Sequence, residues 1–351
     1  MSRLARLIVL SSLATTPLAA QTEQRSVTGA DVAIYNLVGR VSAVAGTGNA
    51  VQVEITRRGT DAARLRIETG KLRGRETLRI VYPSDQIVYS EMRQRRVSGI
   101  GVRDDGTFSD GDWSEFGNRD RVEIRSSGSG LEAYADLVVR VPRGQKIALY
   151  LAVGRAEVTN VDGDVTVDVG AADVEVSGTK GVLTLDTGSG RVAVREAAGE
   201  IVIDAGSGGV TLDRISGTVL RIDSGSGGIQ GSDIDVREFA ADVGSGGLRL
   251  ARMKAPLVTV ETGSGGTTLE LLSAVERLHV ETGSGGVTLR VPATLGAEVD
   301  IETGSGGFQT DFEITTRRMG RNHVQGRIGD GRGRVQIEAG SGTVRLLKNP
   351  S

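Results

Sequence analysis

Eight times between residues 188 and 342 the chain writes Gly-Ser-Gly, with the first glycine at 188, 206, 225, 244, 263, 283, 304 and 340. The steps are 18, 19, 19, 19, 20 and 21, then 36, which is about two units. Degenerate copies precede them, LAVGRAEV around Gly154 and VDVGAADVEV around Gly170. A period near twenty residues is the signature of a repeat architecture. It leaves little room for an ordinary globular topology.

The columns within the repeat say what each unit does. Leu183, Ile201, Leu220, Phe239, Val258, Leu278, Val299 and Val335 form one apolar column. Two residues on, Leu185, Ile203, Ile222, Ala241, Val260, Val280, Ile301 and Ile337 form a second. Mostly polar residues sit between them, so the alternation is that of a half-buried strand. After the glycines, Val210-Thr211-Leu212 and Val287-Thr288-Leu289 alternate again. Each unit reads as strand, tight corner, strand, looser turn. Two short strands cannot bury an apolar face alone. Stacking the units solves this and yields an all-β fold, a parallel β-solenoid of coils about 4.8 Å apart. About ten coils would make a core near 50 Å long on that spacing. The glycines are expected at the corners, where positive φ is often needed. Arg191 and Thr343 replace the last Gly of GSGG in the first and last full copies, as expected of terminal repeats. The 36-residue step is expected to hold a coil that has lost its corner motif.

Other readings of the glycines fail on spacing. A flexible linker would not be flanked at fixed distance by aliphatics. A phosphate loop needs GK[ST], which is absent here, and the residues after GSGG open a strand rather than the helix of a dinucleotide site.

One column could carry chemistry: Asp186, Asp204, Asp223, Asp242, Glu261, Glu281, Glu302 and Glu338. Alternation points it outward, just before the corner. In register, like charges about 5 Å apart repel by something near 1 kcal/mol per pair even in water. A divalent-cation ladder is one form of relief, although calcium β-rolls place their acids differently. An exposed acidic face is the simpler one. The Ser column, Ser189 through Ser341, recurs in every copy and suits corner hydrogen bonding better than nucleophilic catalysis, since only His279 and His323 could serve as bases. Residues 104–115, DDGTFSDGDWSE, match a calcium loop poorly. Zinc is excluded by zero Cys and two distant His. Hence no cofactor is expected.

The N-terminus reads as an export signal over residues 1–20. Arg3 and Arg6 precede a short apolar run, and Pro17-Leu18-Ala19-Ala20 supplies small residues at the cut. No later run is long enough to span a membrane. Residues 27–143 read as a β-rich N-terminal region with a long exposed loop at 92–130, which holds the single Trp, Trp113. Residues 144–349 are the solenoid. A formal net charge of −2 gives no bulk attraction for nucleic acid.

The strand-GSGG-strand phrase, VPRG at 141–144 and the tail GRIGDGRGRVQIEAGSGTVRLLKN at 326–349 together resemble the bacterial DUF4097 family of adhesin-like β-strand repeat proteins. The resemblance covers about residues 27–349. It implies a cell-envelope or secreted protein and no catalytic residues. Loop 92–130 looks like an insertion in that pattern. The expectation is therefore a non-enzymatic exported protein that binds or scaffolds, its partner a glycan or protein of the envelope or the extracellular space. The alternatives are a polysaccharide-active β-helix enzyme, a cation-stabilised β-roll and a plain structural spacer.

Overall fold

A computed structural model describes residues 21–92, 98–109 and 121–350. The export segment expected over residues 1–20 and Trp113 lie outside the described residues. The chain is a parallel β-solenoid. Strands of successive coils pair in register, so Leu183, Ile201, Leu220, Phe239 and Val258 form one continuous inward row. All five are buried, none more than 3% exposed. The second strand of each coil builds a matching row from Val192, Val210, Ile229 and Leu248. Aliphatic rows from both strands thus fill the interior, as the two-residue alternation dictates.

The corner glycines are needed chiefly because of backbone approach. A Cβ on Gly265 would lie 1.8 Å from the carbonyl oxygen of Gly246, and one on Gly263 would lie 2.2 Å from that of Gly244. Neither glycine has the left-handed φ expected from the sequence. Backbone N–H groups use the same approach: Ser264 donates to the Gly244 carbonyl at 3.2 Å, and Gly263 to that of Val243 at 2.9 Å. The last glycine of GSGG is looser, since a Cβ on Gly266 meets only the Gly286 carbonyl oxygen at 3.6 Å.

The second turn is tighter than its sequence suggests. It is left-handed at Asn160, Glu196, Arg214, Asp233 and Arg252, with φ between 50° and 58°. After each comes a buried apolar residue, Val161, Ala197, Ile215, Ile234 or Met253. Stacked on one another, the charged members alternate in sign. Arg214 pairs with Glu196 at 2.7 Å, and Arg252 pairs with Asp233.

Both ends depart from a simple stack in sequence order. The strand Asp31–Ala45 pairs in parallel with Gln145–Thr159, Tyr35 opposite Tyr150, and so acts as the first coil. Its other edge is covered by Arg75–Val81 and Tyr134–Val141. Residues within 92–130 are not simply a loop. Ser98–Gly101 and Arg121–Arg125 are strands of a small sheet with Gln86–Val88. Phe108 is 1% exposed and packs edge-on against Tyr35, at 5.8 Å between ring centroids.

At the other end the final coil is inserted out of order. Gly333–Ala339 pairs on one side with Arg277–Thr282 and on the other with Ala297–Thr303, so Glu338 lies between Glu281 and Glu302. The 36-residue step therefore does not hold a coil without its motif. It holds the strands Thr315–Met319 and His323–Ile328, an antiparallel hairpin whose second strand covers the free edge of Ala297–Thr303. Thr343 and Arg191 accordingly both sit in interior coils, and end effects do not explain them.

The glycine geometry separates two neighbouring positions. Gly265→Ala should cost about 1–3 kcal/mol, because its methyl meets backbone that cannot step aside. Gly266→Ala should stay within roughly 0.5 kcal/mol. Urea denaturation of both variants checks this, and equal losses would contradict the corner geometry.

Candidate functional site

Two features of the outer surface concentrate charge: the acidic row beside the corner, and a cleft at the N-terminal end of the corner itself. In the row, Asp186, Asp204, Asp223, Asp242, Glu261, Glu281, Glu338 and Glu302 stack in that order, one per coil. Asp168 extends it by one coil beyond the sequence expectation. The row then passes to Tyr150 and Tyr35, whose rings stack at 4.4 Å with 4° between planes, and on to Arg79. Arg75 donates to the Tyr150 hydroxyl at 3.1 Å. At the far end Asp300, two residues before Glu302, bonds His323 at 2.7 Å and accepts from Gln325 at 3.3 Å.

The carboxylates run along the stack instead of converging. Among the described residues, no group of three or more Asp, Glu or His is placed to hold a metal ion. Repulsion shows in protonation. The Asp186 carboxyl is held above the usual carboxylate range by burial first and then by Asp204. Asp223 is raised by burial, then by Asp204 and Asp242. A carboxyl raised in the folded state favours the fold while protonated, below the ordinary 3.8. That contribution fades as pH rises through the raised values. At neutral pH the ionised Asp186 and Asp223 work against the fold.

The poor calcium match at 104–115 can be followed only as far as residue 109. There the Asp105 carboxylate is already engaged, accepting from the Thr107 hydroxyl and backbone N–H. Burial opposes its charge, but Thr107, Arg73 and Arg79 hold its carboxyl below the usual range. The corner serines are exposed, and their hydroxyls make at most long contacts, such as Ser207 to the Gly188 carbonyl at 3.5 Å. Corner hydroxyl bonding comes instead from the buried residue just before GSG. Ser224 donates to the Gly227 carbonyl at 2.8 Å, and Thr282 accepts from the Gly285 N–H at 3.1 Å.

The cleft was missed in the sequence. It encloses about 680 Å³ between the corner of the first coils and the segment Tyr89–Met92. Its floor includes Ser189 and Ser207. One wall is a row from successive coils: Arg40, Arg155, Asp173 and Arg191. These occupy the position held by glycine at 209, 228, 247, 266 and 286. Arg191 donates to Asp173 through both its backbone N–H and its guanidinium at 3.0 Å. Arg155 pairs with Glu157 at 2.6 Å and Glu175 at 2.9 Å. Arg40 is exposed, and its guanidinium has no carboxylate partner among the described residues. Opposite, burial and then Glu91 raise the Tyr89 phenol above its ordinary value, while Arg40 is near enough to pull it down. The sequence signal was Gly-Arg at 39–40, 154–155 and 190–191, which makes sense only once these coils are known to adjoin.

Architecture and outward rows define a repeat protein that presents long, regular faces. The DUF4097 family model, described as Toastrack, matches residues 127–347, more than half of the chain, and the chain belongs to that family. No curated protein matches the chain. A Parabacteroides distasonis crystal structure described as a "putative adhesin" is 12% identical, with a TM-score of 0.45, over 93% of this chain and 98% of its own. A Clostridium sporogenes structure described as a "putative cell adhesion protein" is 10% identical, with a TM-score of 0.24, over 94% of this chain and 100% of its own. Superpositions this loose carry no argument about function.

Asp204 is the shared neighbour of both raised carboxyls. Asp204→Asn should lower the pKa of Asp186 and of Asp223, leaving each above 3.8 because burial is the larger cause. It should also raise the melting temperature at pH 7 by roughly 1–3 °C. Carboxyl NMR titration with thermal melts reads both effects. Unchanged titration of the two neighbours would show that the row is not electrostatically coupled.

Proposed function

We propose that the chain is an exported, non-enzymatic protein of the cell envelope or its exterior, which acts by adhesin-like binding or as a scaffold. The carrying observation is the parallel ladder, which keeps the outward columns in register from Asp168 to Glu302. It holds outward side chains at fixed spacing along many coils, so the frame stays constant while the displayed residues vary. Such a surface suits repeated, extended contact with a partner. Catalysis asks for carboxylates in unlike environments, one poised as acid and another as base. Here most of the row is exposed, and its members repeat one position. His323 is tied to Asp300. Among the described residues, no helix is long and apolar enough to cross a membrane. The basic, apolar and small-residue pattern of residues 1–20 is the support for export.

Mixing the purified chain from residue 21 with washed envelope material tests this, with co-sedimentation and release of reducing sugar measured on the same samples. Saturable co-sedimentation without sugar release is expected. Sugar release that disappears in Glu261→Gln/Glu281→Gln would overturn the reading in favour of an enzyme. Absence of any co-sedimentation would remove binding.

A further inference from the structure

We propose that the cleft at the N-terminal end of the corner binds an acidic oligosaccharide, with Arg40 and Arg191 taking its carboxylates. This rests on the proposed binding role and gives that role a place and a ligand class. The first argument is where the arginines occur. The position after the second corner glycine is Arg, Arg, Asp, Arg in the four coils that form the cleft wall, and Gly in the next five. The corner backbone differs between the two sets: φ is +128° at Gly39, +143° at Gly154 and +156° at Gly190, whereas Gly208, Gly227, Gly246 and Gly265 are not left-handed, so the arginines accompany a corner of their own. Among the described residues, the charge at this position is confined to the coils that face Tyr89–Met92, which bulk solubility does not explain.

The second argument is the state of the charges. The Arg40 backbone N–H donates to Asp136 at 3.0 Å, while its exposed guanidinium has no carboxylate partner among the described residues. Arg191 is 73% exposed and held by Asp173. That contact fixes the guanidinium at the mouth while leaving other donors of its fork for a ligand. Arg155 is taken up by Glu157 and Glu175, so the cations open to an anion are the Arg40 guanidinium and the exposed face of Arg191.

The third argument is the remaining lining. Ser189, Ser207 and Ser98 add hydroxyls, while Tyr89 and Met92 add apolar surface. Hydroxyls beside a limited apolar wall match a sugar ring, which is polar at its rim and apolar across its face. An acidic peptide would dock best by adding a strand. The backbone groups at this corner instead bond from coil to coil: Ser189 N–H to the Gly170 carbonyl, and Val192 N–H to the Gly209 carbonyl. The wall presents side chains, with no strand edge on offer.

The experiment is calorimetric titration of the full chain from residue 21 with oligogalacturonate, its methyl ester and poly-glutamate, at low and moderate salt. Oligogalacturonate should bind, and more weakly as salt rises. The methyl ester should bind at least about tenfold more weakly, having lost its charge-assisted contacts. Arg40→Ala and Arg191→Gly should each lower affinity by about tenfold on the same grounds. The second restores the residue found in five other coils, so it should leave the melting temperature unchanged. Equal binding of the ester, equal binding of poly-glutamate, or full affinity in both variants would each overturn the proposal. If the protein sediments with envelope material but ignores oligogalacturonate, the ligand assignment fails and the binding role stands. If it does neither, both fail.

Discussion

At every Gly-Ser-Gly corner the backbone of one coil rests on the carbonyls of the coil beside it. A Cβ at Gly208 would lie 1.5 Å from the Gly190 oxygen, and one at Gly227 would lie 1.8 Å from the Gly208 oxygen. That contact admits no side chain. It forces successive coils into one register, because any slip would set an inward aliphatic against a corner. Once register is fixed, like residues must stack, and every property of the outer surface becomes a property of rows. The interior gains tight aliphatic packing. The exterior inherits whatever charge each row carries.

The two turns handle that inheritance differently. Beside the GSG corner the row is uniformly acidic, and burial together with that repulsion raises the carboxyls of Asp186 and Asp223. At the second turn the row alternates Glu196, Arg214, Asp233 and Arg252, so each coil neutralises its neighbour. These pairs are exposed, so each adds little stability. Their alternation avoids the penalty that a uniform row would bring. The acidic face is thus tolerated where neutral alternation was an available solution, which marks it as a surface feature rather than a requirement of the coil.

Much of this was legible in the chain because the solenoid is local and periodic. The inward columns through Leu183 and Leu185, the outward acids and the period itself come from alternation read across a repeat. Long-range order could not be read in the same way. Gly340 lies 36 residues after Gly304, yet it stacks between Gly283 and Gly304. Nothing local distinguishes that arrangement from a stack in sequence order, because each coil would present the same faces in either. The first coil hid for a similar reason. Asp31–Ala45 is separated from Gln145–Thr159 by 99 residues, so Arg40 and Arg155 do not look like neighbours. The cleft they share was invisible for that reason alone. The buried hydroxyls at Ser224 and Thr282 are not legible as corner partners, because in sequence the exposed serine inside the motif is their equal.

The central claim is a register and an order of coils, and a disulfide reads both. The chain has no cysteine of its own. Cysteines placed at Glu281 and Glu338 would sit on adjacent coils, at a spacing that a disulfide spans, whereas those at Glu281 and Glu302 would lie two coils apart and beyond its reach. Oxidation should therefore cross-link the 281/338 pair rapidly and leave the 281/302 pair as free thiols. Rapid cross-linking of 281/302 with none at 281/338 would mean that the coils stack in sequence order, and would contradict the inserted final coil.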